Sequence, residues 1–167
     1  MLLRCTSRLL ATISGKTKPV LNATKPASAG DFYANLTWID GRKCLLVTHA
    51  GTLFSVFTPD VRVRDLRPIG RFVVPMIKDA LNSEGLESNT FGNLVADDVE
   101  LAKTANRSVL GCMNDMAWYC EVAVLDAGEI RQLDVATLNR QLRRMILGPL
   151  RGTYPIELAT ALGATPR

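Results

Sequence analysis

One run of residues concentrates most of the side-chain chemistry in this chain: Lys103-Thr104-Ala105-Asn106-Arg107-Ser108-Val109-Leu110-Gly111-Cys112-Met113-Asn114-Asp115, followed at once by an apolar segment. Its types and order allow two kinds of chemistry. Lys103, Asn106, Arg107 and Ser108, together with helix-start amides near Asn114, have the composition of an anion-binding site, and Asp115 could act as a base or a metal ligand. Asp97, Asp98 and Glu100 lie just upstream and could join Asp115 in the carboxylate cluster on which metal-dependent hydrolases and nucleases rely. A structural reading competes and is preferred: Asn114 or Asp115 caps the apolar helix, Asn106 and Ser108 bind loop backbone, Gly111 permits a turn, and Arg107 pairs with a carboxylate or backbone oxygen.

The second candidate is the basic face formed by Arg140, Arg143 and Arg144, near Arg151, which could contact phosphates. A solvated outer face is the competing expectation, and no helix-turn-helix, zinc-finger or RNA-binding pattern accompanies the arginines. His49 is the only histidine, so any Ser-His-Asp or Cys-His arrangement would have to centre on it; no nucleophile-elbow sequence goes with it, and its place at a hairpin end reads as a turn residue. Cys5, Cys44, Cys112 and Cys120 are dispersed among apolar neighbours without a C-x-x-C pair, which predicts buried thiols in a reducing compartment and no metal site. Gly15-Lys16-Thr17 lacks the upstream glycine of a phosphate-binding loop. Nothing in the sequence calls for a cofactor.

These residues must be positioned by elements that the pattern suggests. Leu2 to Cys5 reads as a short strand and is followed by a helical turn with Leu9 and Leu10 inward. Residues 15–30, with the breakers of Lys18-Pro19, Lys25-Pro26 and Ala27-Ser28-Ala29-Gly30, read as an exposed loop. Phe32 to Ile39, the Asp40-Gly41 turn, Cys44 to Val47, the Ala50-Gly51 turn and Leu53 to Phe57 predict a three-stranded antiparallel meander. Asp65 and Pro68 suggest the start of a helix running to about residue 82, kinked at Pro75. A further strand is expected over 99–104, a centrally buried helix over 114–125, and a last helix over 135–147 that starts at Asp134. Residues 154–167 read as a C-terminal extension of a single domain spanning 1–167.

With 167 residues, 47% hydrophobic and 22% charged, the chain can bury one core without disulfide or metal staples. The net charge of +4 permits contact with an acidic partner, protein or nucleic acid, without requiring it. No apolar run approaches the ~20 residues of a membrane span, so a soluble chain is expected. Arg4, Arg8, Lys16, Lys18 and Lys25, with no acidic residue among the first thirty, resemble a transit-peptide composition; incorporation of this segment into the fold is preferred.

Arg4-Cys5-Thr6 with Leu9-Leu10, Lys43-Cys44-Leu45-Leu46, Thr48-His49-Ala50-Gly51-Thr52-Leu53-Phe54-Ser55, the run from Arg107 to Ala117, and Tyr154-Pro155-Ile156-Glu157 together resemble a family of small bacterial proteins carried as a domain of unknown function. The resemblance covers nearly the whole chain. It implies a bacterial cytoplasmic protein whose domain begins at the Arg-Cys-Thr element, and it implies no activity, cofactor or site residue. The resulting expectation is an α+β fold with an antiparallel sheet and helices largely on one face. A non-enzymatic binding or regulatory module is preferred, with a metal-dependent hydrolase or nuclease around Asp115 as the alternative.

Overall fold

The computed structural model describes residues 1–14 and 25–164; most of the expected 15–30 loop, including Gly15-Lys16-Thr17, lies outside them, and residues 25–30 are exposed. Strands β1 (Leu2–Cys5), β2 (Phe32–Ile39), β3 (Arg42–His49), β4 (Ser55–Thr58) and β5 (Glu100–Lys103) form one sheet in the order β4-β3-β2-β1-β5. The meander is present as expected, with Asp40 and Gly41 both at positive φ in its first turn. The sheet is mixed, however, and not purely antiparallel. β1 runs parallel to both β2 and β5. Parallel neighbours need a crossover, and helix α1 (Ser7–Ser14) lies in the connection from β1 to β2.

Helices cover both faces of the sheet, correcting the expectation of one. Successive residues in a strand point to opposite sides. Phe32, Ala34, Leu36, Leu45, Val47 and Val56 therefore pack with Leu9 of α1, with Val73 and Ile77 of α2 (Gly70–Ser83), and with Ala159 of α5 (Pro155–Ala164). Tyr33, Cys44, Leu46 and Phe57 pack on the other side with α3 (Arg107–Ala127) and α4 (Val135–Leu142). The uninterrupted apolar run Cys44-Leu45-Leu46-Val47 is the sequence trace of a strand buried on both faces.

Several boundaries differ from those the sequence suggests. Helix α2 starts at Gly70 because Asp65 is occupied in the preceding turn, where its Oδ2 accepts from the Arg62 amide at 3.3 Å; Pro75 sits inside α2 at an exposed position. Helix α3 begins seven residues before Asn114 and carries Gly111 in its interior. It is also amphipathic rather than buried all round. Val109, Cys112, Met113, Met116, Cys120 and Val124 face the sheet, whereas Trp118 and Leu125 remain 66% and 73% exposed. Helix α4 ends at Leu142, several residues short of the expected 147. Among the described residues, no helix is long and apolar enough to cross a membrane.

Candidate functional site

The polar run is divided by the early start of α3. Asn106 is the N-cap, its Oδ1 accepting from the amides of Ser108 at 2.9 Å and Val109 at 3.3 Å. Asn114 and Asp115 are exposed residues in the body of the helix and cap nothing, because the cap is already supplied by Asn106, more than two turns earlier. Lys103, Asn106, Arg107 and Ser108 do lie together at the start of α3, all exposed, and the side chains of Lys103 and Arg107 make no hydrogen bond or ion pair among the described residues. An anion there would compete with Asn106 for the helix-start amides, which weakens that chemistry. Asp115 is not joined by the upstream acids. Asp97 pairs with Arg71 of α2 at 3.0 Å and Glu100 with Lys25 at 2.9 Å, whereas α3 covers the opposite face of the sheet from α2.

The arginine face is also broken up. Arg143 is buried, 3% exposed, and donates from Nε to Glu84 at 2.8 Å; its guanidinium lies 5.1 Å from the centre of the Phe54 ring. Arg144 donates to the other oxygen of Glu84 at 2.6 Å. Burial raises the pKa of Glu84, but hydrogen bonds from Arg144 and Arg143 outweigh it, and the carboxyl ends below its ordinary value. Only Arg140 of the three stays exposed without an ion-pair partner among the described residues. The expected row of three phosphate-contacting arginines is therefore not present: helix α4 ends before Arg143, and the chain turns that side chain inward.

Two polar anchors escape a reading of the sequence. Arg4, on β1, is 3% exposed and donates to Asp31 at 2.6 Å and to the carbonyls of Lys25, Pro26 and Lys103, tying the entry to β2 and the end of β5 to the sheet centre. Asn139, on α4, accepts from the Phe57 amide at 2.6 Å and donates to the Phe57 carbonyl at 2.9 Å. Its side chain thereby occupies the free edge of β4, the terminal strand of the sheet.

The best-formed candidate surrounds His49. The antiparallel register sets His49, the last residue of β3, opposite Phe32, the first of β2, so both emerge at one end of the sheet on the α2 and α5 side. By the same parity His49 faces away from Cys44, Cys112 and Cys120, which rules out their convergence on one metal. The ring is 4% exposed and stacks on Phe91, with centroids 4.2 Å apart, and tilts against Phe32 at 5.0 Å. Its Nδ1 is 3.0 Å from Thr52 Oγ1, which also accepts from the Phe54 amide at 3.2 Å. Gly51 is needed beside it: a Cβ there would lie 2.9 Å from the Ala29 carbonyl oxygen.

His49, Thr52, Thr90 and Phe91 line an open cleft of about 510 Å³ whose other wall is Leu158 and Leu162 of α5. Burial lowers the His49 pKa to about 4, partly opposed by the charge of Asp31, so the ring is neutral at pH 7. A neutral imidazole of such low basicity is a poor proton acceptor, and among the described residues no Cys, Ser, Asp or Glu lines the cleft with it. The site can hold a ligand and offer it a hydrogen bond. Its only trace in the sequence is the solitary histidine three residues before a threonine; Phe91 and Leu158 are brought to it by tertiary structure alone.

Among curated proteins none matches the chain. A family model does match: it covers residues 2–158, from the first residue of β1 into α5, and the chain belongs to the family it describes, a domain of unknown function (DUF6933).

Proposed function

We propose that this chain is a non-enzymatic binding module whose ligand site is the cleft at the 49–52 hairpin. The observation that carries the reading is the cleft's make-up: a volume suited to a small molecule, apolar walls, and a fixed, neutral histidine as its polar anchor. Four buried free thiols accord with a reducing compartment such as the cytoplasm of a bacterium. The hydrolase reading, centred on Asp115, gains no support from that residue's isolated, exposed position on α3.

A small-fragment screen followed by backbone amide NMR tests the proposal. Shifts should concentrate at residues 49–52, 90–91 and 158–162. Hits confined to 103–108 would transfer binding to the start of α3, and a screen without localised shifts would reject a small-molecule role. Turnover of a generic phosphodiester with Mg²⁺ or Mn²⁺, lost in Asp115→Asn, would instead establish the enzyme.

A further inference from the structure

We infer that the His49 cleft takes an uncharged, mainly apolar small molecule bearing one hydrogen-bond acceptor, typically a carbonyl, which meets the Nε2–H of His49; this rests on the ligand-binding reading above. The polarity follows from the Thr52 hydroxyl. That group has one proton to donate, and its oxygen already accepts from the Phe54 amide. Among the described residues its only other partner is His49 Nδ1. If the hydroxyl donates to Nδ1, the Phe54 amide, the Thr52 hydroxyl and Nδ1 are all satisfied, and the ring proton resides on Nε2. The opposite tautomer would leave the Thr52 proton without an acceptor in a buried place. Nε2 makes no hydrogen bond among the described residues, and the stacked Phe91 and tilted Phe32 hold the plane of the ring. The cleft therefore presents a donor and calls for an acceptor.

The absence of a charge on the ligand follows from the walls. Among the described residues no Asp, Glu, Lys or Arg lines this cleft, in contrast to the cleft between α2 and α4, lined by Asp79 and Arg140, and the one beside α2's start, lined by Arg67 and Asp97. A charged ligand would lose its hydration and gain no counter-charge. Asp31, the acid whose charge acts on His49, is already paired with Arg4. Phe91, Leu158 and Leu162 supply the apolar contact.

His49 is the chain's only histidine, so its ring nitrogens can be read without ambiguity in a two-bond ¹H–¹⁵N spectrum of the full chain at pH 7. The Nε2–H tautomer is expected; an Nδ1–H tautomer overturns the inference whatever binds. Four probes of similar size then separate the chemistries: acetophenone, ethylbenzene, indole and benzoate. Acetophenone should bind at least ten-fold more tightly than the other three and shift Nε2. In His49→Phe its advantage over ethylbenzene should vanish while ethylbenzene binding persists. Preference for indole, a donor, or for benzoate, an anion, would overturn the acceptor or the charge argument and leave the cleft as a binding site. No shift at the cleft with any probe would overturn the site itself.

Discussion

His49 and Arg4 illustrate how single side chains are tuned by where the sheet places them. A free histidine titrates near pH 6.5, whereas His49 in the fold titrates at about 4. Between those values the unfolded chain binds a proton that the folded chain does not, so stability should fall as pH drops through this window, by up to about 3 kcal/mol. Above pH 6.5 both states are neutral and the contribution is constant. Urea unfolding at a series of pH values, for wild type and His49→Gln, isolates the effect, because contributions from carboxylates such as Glu84 cancel in the difference. Equal slopes for the two proteins would show that the ring is more solvated than its position implies. Arg4 behaves in the opposite sense: its charge is required. Replacing it by Met leaves the buried Asp31 carboxylate without its cation and frees three part-buried backbone carbonyls, a loss of about 3–5 kcal/mol. Adding Asp31→Leu to that variant should recover part of it, and denaturant midpoints of the single and double variants provide the check. Neither role was legible beforehand, since Arg4 reads in sequence as one of several N-terminal basic residues and Asp31 lies far along the chain.

At the scale of elements, patterns of local origin were readable and those of tertiary origin were not. The Asp40-Gly41 hairpin and the Asp134 cap of α4 follow from turn and capping chemistry that neighbouring residues settle among themselves; Asp134 Oδ1 accepts from the Thr137 amide at 3.0 Å. The start of α3 was misplaced because Gly111 and the polar run read as a loop, yet exposed helix positions tolerate both. Asn106→Ala should accordingly cost about 1 kcal/mol, whereas Asn114→Ala and Asp115→Ala should stay within about 0.5 kcal/mol of wild type by thermal unfolding. A reversed order would restore the later start of the helix. Asn139 supplies a second test. Asn139→Leu removes both bonds to Phe57 and bares the edge of β4, so it should destabilise by about 2–4 kcal/mol and promote concentration-dependent self-association, seen by analytical ultracentrifugation. An asparagine on the inner side of an amphipathic helix is the only mark the sequence carries of that clamp.

For the whole molecule, the decisive feature is that β1 lies inside the sheet. Strand β5 pairs with β1 alone among the described residues, and the Glu100 amide donates to the Met1 carbonyl at 2.9 Å. The first five residues thus join the meander to β5 and, through it, to the start of α3. The sequence could suggest that Leu2 to Cys5 is a strand, but not which strands it would separate, because parallel pairing of Leu3 with Phe32 and of Leu2 with Glu100, far along the chain, leaves no local pattern. Removing residues 1–5 deletes the buried Leu3 and Cys5, the Arg4 network and both ladders that hold β1. Burial of Leu3 alone stabilises by about 1.5–3 kcal/mol, and the stranded Asp31 adds a comparable loss; together these approach the total stability of a domain of this size. The truncated chain should therefore show no cooperative thermal transition by circular dichroism. Truncation after residue 153 should be milder, since α5 buries only Pro155 and Ala159, and should leave a cooperative transition at lower temperature. If the N-terminal truncation melted cooperatively near the wild-type temperature, β1 would be an accessory strand and the sheet would not be organised around it.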